Sequence, residues 1–228
     1  EISGGALITK ILIQNGISKA FCVPGESYLG VLEAIRESKN KFDLVVCRHE
    51  GGASYMAEAY GRLTQMPGIC FVTRGPGACN ASIGVHTAFH EGTPLILFVG
   101  QVPVKSLKKN AFQSIDTDKF FNSMAKYTET IKDPKNIRKI LEKAIYISTE
   151  GKPGPVVLGI PEDIQFAMVS DKISEVLENK THKIKSKIFR AYIKELNHSK
   201  RPIIVLSGSK WKKAVSYTHL TLPTILRV

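Results

Sequence analysis

The stretch RHEGGASYMAEAYGR at residues 48–62 follows directly on an apolar run, FDLVVC, at residues 42–47. The apolar run predicts a buried strand, and the small residues after Glu50 predict a helix that packs closely against a neighbour. The alanines expected to allow this approach are Ala53, Ala57 and Ala59. Glu50 thus lies between a strand and a helix. It is either a charge that favours the helix N-terminus or a group that acts on a ligand.

The alternation of strand and helix extends in both directions from this stretch. The other apolar runs are KAFCVP (19–24), GICFVT (68–73), PLILFVG (94–100) and GPVVLGIP (154–161). Helical spacing occurs in GGALITKILIQNG (4–16), SYLGVLEAIRES (27–38), GACNASIGVHTAFHEG (77–92) and PKNIRKILEKAIYIST (134–149). Gly16 is a candidate C-terminal glycine of the first helix and Ser27 a candidate N-cap of the second. Uniformly apolar strands separated by helices predict an α/β fold, a doubly wound parallel sheet with helices on both faces.

The chain divides into four predicted regions. Residues 1–168 form the α/β domain, and the polar residues 169–185 form a linker. Residues 186–214 resume a helix–strand–glycine pattern, which predicts the truncated start of a second α/β domain. The final stretch, VSYTHLTLPTILRV at 215–228, differs from all that precedes it and is expected to be a non-native tail. Within the first domain, residues 101–125 show neither period, and their phenylalanines predict an ordered, docked loop.

Composition and charge exclude several classes of protein. Of the 228 residues, 43% are hydrophobic and 23% are charged, as in ordinary globular domains. The net charge of +12 comes from the second half, because residues 1–100 carry equal numbers of basic and acidic side chains. The basic residues at 171–213 carry no RNA-binding signature, so we expect a solvated surface, no nucleic-acid partner and no membrane partner. No metal-ligand spacing or secretory pattern is present, and four unpaired cysteines predict a cytoplasmic protein.

Unusual loops follow four of the predicted strands. They read VPGES (23–27), CRHEGG (47–52), TRGPGACN (73–80) and GQVP (100–103). Ligands of open parallel sheets bind beyond the carboxyl ends of the strands, so these loops mark one candidate site. The sequence GPGACN is neither a dinucleotide-binding nor a P-loop motif. The glycines at 51 and 52 would let a flat ligand approach the backbone beside Glu50.

Seven ordered segments resemble the thiamine diphosphate-dependent enzymes of the acetolactate synthase-like group. They are VPG, RHEGGASYMAEAYGR, GPGACNASIGVHTA, PLILFVGQVP, AFQSID, MAKYT and GKPGPVVLGIPEDI. The resemblance covers residues 2–168 as the pyrimidine-binding domain and residues 186–209 as the start of the central domain. It implies an enzyme that decarboxylates or carboligates 2-oxo acids. In such enzymes a glutamate at the position of Glu50 hydrogen-bonds the aminopyrimidine ring and promotes loss of the thiazolium proton.

The resemblance also implies roles for other residues. Cofactor-binding positions are Pro24, Gly25, Glu50, Thr73, Gly75, Gly77 and Asn80. Catalytic positions are Glu50, Gln113 and Lys126, and the substrate side is formed by Glu26, Ser27, Phe112 and Gln113. His49 and His90 are either proton-transfer groups or structural residues. The resemblance further implies Mg²⁺ held by a C-terminal domain, FAD as a further candidate cofactor, and a homodimer or dimer of dimers.

The sequence departs from the group at three places, and the first two leave the substrate open. Glu26 occupies a position where acetolactate synthases usually have a small residue. HEGTP at residues 90–94 also differs from the usual acetolactate synthase sequence at that place. Ser114 also stands where the group has a glutamate. Alternatives are a decarboxylase of an acyl-CoA or sulfonated 2-oxo acid, a non-catalytic binding module with the same fold, and a nucleic-acid binder that uses the basic stretch.

Overall fold

Six parallel strands form the central sheet of the computed structural model, which describes residues 1–171 and 186–201. The strands are β2 (Lys19–Cys22), β3 (Asp43–Val46), β4 (Gly68–Val72), β5 (Leu95–Gln101), β6 (Tyr127–Thr130) and β7 (Pro155–Pro161), in the order β3-β2-β4-β5-β7-β6. A separate antiparallel pair joins β1 (Ile2–Ser3) to β8 (Met168–Val169). Every neighbouring pair in the six-stranded sheet is parallel, as the uniformly apolar strands predict.

Helices cover both faces of this sheet. They are α1 (Gly4–Gln14), α2 (Leu29–Glu37), α3 (Glu50–Thr64), α4 (Gly75–Glu91), α5 (Thr117–Phe121), α6 (Ile137–Thr149) and α7 (Glu162–Phe166). A further helix, α8 (Ser186–His198), follows later in the chain. One core cluster joins the sheet to α1, α2 and α6, and a second joins it to α3, α4 and α5. The doubly wound α/β architecture is confirmed.

Side chains alternate between the two clusters along each central strand. In β4, Ile69 and Phe71 face the first cluster, while Cys70 and Val72 face the second. Phe71 stacks on Phe98 with ring centroids 4.7 Å apart. The first cluster is built mainly from large residues, whereas the helices of the second contribute mostly alanine and glycine.

Several local predictions are confirmed and others are wrong. Gly16 follows α1 with φ of 75°, the left-handed conformation that favours glycine. Ser27 is not an N-cap, because it lies in a 3₁₀ turn at Glu26–Tyr28 and α2 begins after Tyr28. Ala59 is exposed, although Ala53 and Ala57 are buried as predicted.

Five elements were not predicted from the sequence, namely the strands β1, β6 and β8 and the helices α5 and α7. Strand β6 and helix α5 lie in or just after the aperiodic segment 101–125. The docked loop is confirmed at Phe121, which is fully buried, but Phe112 is 75% exposed. The β8 strand carries the first domain to Val169, one residue into the predicted linker.

The remaining domain predictions fall largely beyond the described residues. Residues 172–185 of the linker and the tail at 215–228 lie outside them, as does the strand expected after α8. Helix α8 itself matches the helix predicted at the start of the second domain. In residues 1–171 and 186–201 no helix combines the length and apolar character needed to cross a bilayer.

Candidate functional site at the carboxyl edge of the sheet

The chain reverses its direction across the sheet between β2 and β4. From β2 it proceeds to β3 on one side, then returns to β4 on the other side of β2. Such a reversal leaves a crevice at the carboxyl ends of the two strands, which is where open parallel sheets bind ligands. Gly25 lies in the loop after β2, while Glu50 and Gly77 lie in the first turns of the helices that follow β3 and β4, so three predicted site segments meet there.

Glu50 is the first residue of α3 and is half-buried at this crevice. The side-chain amide of Asn80, on α4, donates a hydrogen bond to its carboxylate, with Nδ2 and Oε2 2.9 Å apart. A Cβ atom added to Gly77 would lie 3.4 Å from the other carboxylate oxygen, Oε1. The carboxylate is thus held by one neutral donor, beside a position where the absent side chain leaves room.

The N-cap of α3 is His49, not Glu50. The backbone N–H of Gly51 donates to His49 Nδ1 at 3.0 Å, and His49 has an extended backbone. This bond satisfies a donor at the start of the helix, a task that an acid at this junction could have taken. Glu50 is therefore released from capping, and its carboxylate turns to Asn80.

Two glycines packed closely on the side chain of Thr73 build one wall of the crevice. A Cβ on Gly25 would lie 2.8 Å from Thr73 Cβ, and one on Gly77 would lie 3.1 Å from Thr73 Cγ2. A Cβ on Gly52 would meet nothing within 4 Å. The wall is therefore tight between the loops after β2 and β4, and open at Gly52 on the first turn of α3. Pro24 is exposed at the rim of the same loop.

The segment after β5 docks against the start of α4. The backbone N–H of Gly75 donates to the carbonyl oxygen of Gln113 at 2.7 Å, and Gln101 Nε2 donates to the carbonyl oxygen of Ile115 at 3.0 Å. Gln113 has φ of 58°, the left-handed region. The side chains of Phe112 and Gln113 are exposed, so the loop is fixed by its backbone and presents these two side chains to the outside.

Two of the predicted substrate-side residues have opposite environments. Ser27 is fully buried, and its hydroxyl shares a hydrogen bond with Thr73 Oγ1 at 2.9 Å. A Cβ on Gly100 would lie 2.1 Å from Ser27 Oγ, so Ser27 lies behind the loop, against β5. Glu26 is 70% exposed and pairs with Arg74, with Oε1 and Nη1 3.0 Å apart.

Lys126 and His90 lie at the opposite edge of the sheet from Glu50. Lys126 directly precedes β6, at its amino end, and its ammonium group donates to the carbonyl oxygens of Ile147, Glu150 and Lys152. His90 lies in the last turn of α4, a helix that starts at the carboxyl edge, and its carbonyl oxygen accepts a hydrogen bond from Lys152 Nζ. The structure does not bring either residue to the other candidates within this chain.

Burial shapes the acidity of the groups behind the crevice. Burial raises the pKa of Cys22 to about 11 and also raises the pKa of Tyr28 far above its usual range. The negative charge of Glu50 adds a smaller increase to the pKa of Tyr28. The hydroxyl of Tyr28 donates to the carbonyl oxygen of Val23. These groups stay neutral at ordinary pH and form an apolar floor below the charged rim.

Arg74 is a site residue that the sequence analysis did not single out. It lies between Thr73 and Gly75, and its side chain is only 11% exposed. Its guanidinium contacts Glu26 and Glu162, which follow β2 and β7. The sequence signal that could have identified Arg74 is its charge within the otherwise neutral, glycine-rich segment TRGPG.

The fold and site thus define a cofactor-binding α/β domain with a carboxylate at its topological reversal. Residues 2–120 match the model of the family described as thiamine pyrophosphate enzyme, N-terminal TPP binding domain. The chain belongs to this family, whose cofactor is also called thiamine diphosphate.

Three relatives show how the chain compares with whole proteins. It is 32% identical over 215 residues to the mitochondrial acetolactate synthase of Schizosaccharomyces pombe, covering 89% of this chain and 32% of the relative. It is 33% identical over 211 residues to the acetolactate synthase large subunit of Lactococcus lactis, covering 90% and 36%. For the isozyme 3 large subunit of Escherichia coli the identity is 34% over 163 residues, covering 72% and 28%. The chain spans about a third of the length of these curated relatives.

The residues present fit the pyrimidine half of thiamine diphosphate. A flat heteroaromatic ring needs a narrow space and a partner for its nitrogen. The open face of Gly52, the missing side chain of Gly77 and the Glu50 carboxylate supply these features. Glu50 can accept a hydrogen bond from a protonated ring nitrogen, and Asn80 fixes the orientation of its carboxylate.

Proposed function

We propose that this chain supplies the pyrimidine-binding domain of a thiamine diphosphate-dependent enzyme that joins or decarboxylates 2-oxo acids. The observation that carries the proposal is the position of Glu50. Its carboxylate lies at the reversal of the sheet, oriented by Asn80 and next to Gly77. The acetolactate synthase relatives favour carboligation, with acetolactate as the product, over decarboxylation of an acyl-CoA or sulfonated 2-oxo acid.

In this mechanism Glu50 stabilises a proton on a cofactor ring nitrogen, and the surrounding loops hold the ring in position. When bound, the cofactor supplies an electron sink for the bond that breaks next to the 2-oxo group. Glu50 accepts the hydrogen bond of a ring nitrogen, and its negative charge stabilises the protonated form of that nitrogen. Asn80 holds one carboxylate oxygen, so the carboxylate does not need to reorient when the proton moves.

The remaining loops orient the ring and shield it from water. Gly25 and Thr73 pack against each other, which fixes the wall opposite Glu50. The carbonyl of Gln113 is bound by Gly75, which places Phe112 and Gln113 at the exposed end of the segment after β5. We propose that these two side chains reach the substrate side of a neighbouring subunit in a homodimer or dimer of dimers, since they point away from their own domain.

Other parts of the proposal concern groups expected to bind elsewhere in the full-length enzyme. We propose that Mg²⁺ binds the diphosphate on a further domain of the full-length enzyme, since oxygen ligands beside phosphates are what Mg²⁺ requires. FAD is a further candidate cofactor of that enzyme. A role for Lys126 near substrate or flavin requires contact through another subunit or domain, because within its own chain Lys126 binds the end of α6. The cytoplasmic location stays a prediction from the unpaired cysteines.

Turnover of 2-oxo acids by the full-length enzyme tests this function. Purified enzyme with thiamine diphosphate, Mg²⁺ and FAD is incubated with pyruvate, the simplest 2-oxo acid with a carbon side chain, and acetolactate is measured. We expect acetolactate to form and Glu50→Gln to lower kcat by at least about a hundredfold. Release of carbon dioxide without acetolactate would show that the enzyme decarboxylates its substrate and does not carboligate it. Turnover by Glu50→Gln equal to that of wild type would remove Glu50 from the mechanism.

A further inference from the structure

An ion-pair cluster spans three of the loops at the carboxyl edge of the sheet. Arg74 Nη1 lies 3.0 Å from Glu26 Oε1, and Arg74 Nη2 contacts Glu162 Oε1. Glu26 follows β2, Arg74 follows β4 and Glu162 follows β7. The Glu26–Arg74 pair therefore bridges the two loops that flank the reversal of the sheet, where the ligand crevice lies.

The cluster is continuous with the wall that faces Glu50. Glu26 adjoins Gly25, and Arg74 adjoins Thr73, and these two neighbours pack directly on each other. Thr73 in turn contacts the position of Gly77, beside the Glu50 carboxylate. The charged groups of Glu26 and Arg74 thus lie on the rim of the same crevice.

Exposure and charge indicate what this pair does. Glu26 is 70% exposed, so its ion pair adds little to stability. Arg74 is only 11% exposed and is held from its other side by Glu162, so its charge is fixed in place. A fixed cation next to an exposed acid changes the local electrostatic potential much more than it changes the folding free energy.

We propose that Arg74 offsets the negative charge of Glu26, so that a site with an acid in this loop still admits anionic 2-oxo acids. The inference rests on the proposed function and adds a specificity-determining residue to it. Without Arg74, the carboxylates of Glu26 and Glu162 would both be uncompensated at the rim of the crevice. Like charges at this range repel, and the repulsion weakens substrate binding.

Steady-state kinetics of the full-length enzyme with pyruvate test the inference. Arg74→Ala should raise KM about tenfold with a smaller change in kcat, because two uncompensated acids repel the substrate before chemistry begins. The double variant Glu26→Ala/Arg74→Ala should recover most of this loss in KM, because only Glu162 then lacks its cation, and the KM of Arg74→Lys should lie between those of wild type and Arg74→Ala. Added salt should shrink the effect of Arg74→Ala. The matched control is Arg36→Ala, which removes an exposed ion pair with Glu33 on α2 and should leave KM unchanged.

The outcomes separate this inference from the proposed function. A wild-type enzyme that turns over no 2-oxo acid would defeat the proposed function and this inference with it. Normal wild-type turnover with an unchanged KM in Arg74→Ala would defeat the inference alone. An equal rise of KM in Arg74→Ala and in the double variant would also overturn it, since Arg74 would then act through loop position and not through the charge of Glu26.

Discussion

Both faces of the sheet are covered by buried side chains, but the side chains on the two faces differ in size. Helices α1, α2 and α6 cover one face with leucine, isoleucine and valine, whereas α3 and α4 cover the other mainly with alanine, glycine and serine. Small residues let two helices approach closely: a Cβ on Gly84 of α4 would lie 2.4 Å from Ser54 Oγ of α3. This close approach brings the start of α3 to the first turns of α4, so Glu50 and Asn80 meet. The large-residue face holds the domain together, and the small-residue face forms the site.

Truncating a large buried residue should lower the folding stability without changing the affinity for the cofactor. Leu141 of α6 is fully buried in the first cluster. Leu141→Ala should lower the unfolding free energy by about 2–5 kcal/mol, through lost burial and a cavity. Because α6 packs in the cluster on the face of the sheet opposite α3 and α4, the dissociation constant for thiamine diphosphate should stay unchanged. Urea unfolding and cofactor titration of the full-length enzyme measure both quantities, and a matching loss of cofactor affinity would contradict the division between the faces.

Enlarging a small residue should have the converse effect. Gly84→Ala places a methyl group against Ser54 and should cost about 1–3 kcal/mol by overpacking, despite the better helix propensity of alanine. It should also weaken cofactor binding, because α4 shifts relative to α3 and separates Asn80 from Glu50.

The matched control for this change is Gly52→Ala on α3. A Cβ there meets nothing within 4 Å, so folding stability should be unchanged or slightly higher. Urea unfolding is measured for both variants, and cofactor titration for Gly84→Ala alone, because Gly52 itself faces the ligand crevice. If Gly84→Ala left both stability and cofactor affinity intact, the close seam between α3 and α4 would not be what positions Glu50.

The smallest expected effect concerns thiol reactivity, which tests whether solvent is excluded from both core clusters. Cys22 lies in the first cluster and Cys70 in the second, and burial raises the pKa of both, that of Cys22 from 9.0 to about 11. Iodoacetamide at about pH 8 should therefore modify exposed Cys79 well before either, as read by peptide mass mapping. Equal labelling of Cys70 and Cys79 would show that the small-residue face is open to solvent.

The raised pKa of Cys22 also determines how the folding stability changes with pH. The folded state holds the Cys22 proton more tightly than the unfolded state does. Its contribution to stability is therefore complete below about pH 9 and is lost as the pH rises from about 9 toward 11. Cys22→Ala should reduce this alkaline loss in unfolding experiments.

The strength of each sequence signal explains what could be predicted. Strands β2, β4, β5 and β7 are buried on both faces, so they appear as unbroken apolar runs, and the fold class followed from them. Strand β6, with the sequence YTET, pairs only with β7 at the edge of the sheet and is half-buried. Its polar residues gave no apolar run, so it was missed.

The site was predicted only in part for a similar reason. Glu50, Gly77 and Asn80 follow strand ends, and a shared sheet edge brings such positions together. The position of Lys126 depends on which end of β6 it occupies, and that strand was not predicted. Ser27 required knowledge of the 3₁₀ turn that buries it, and the Glu26–Arg74 pair required the order of the strands. Contacts between distant loops depend on topology, which local periodicity does not contain.

The most direct test of the account is the rate at which the bound cofactor exchanges its thiazolium proton with solvent. In the full-length enzyme, Glu50→Gln should slow this exchange, followed by NMR, by about 10²–10⁴-fold, with cofactor still bound. The matched control, Glu58→Gln, changes a buried acid on the same helix that binds Arg62 and Thr93, and it should leave the exchange rate unchanged. Exchange in Glu50→Gln as fast as in wild type would contradict the assignment of Glu50 as the group that activates the cofactor.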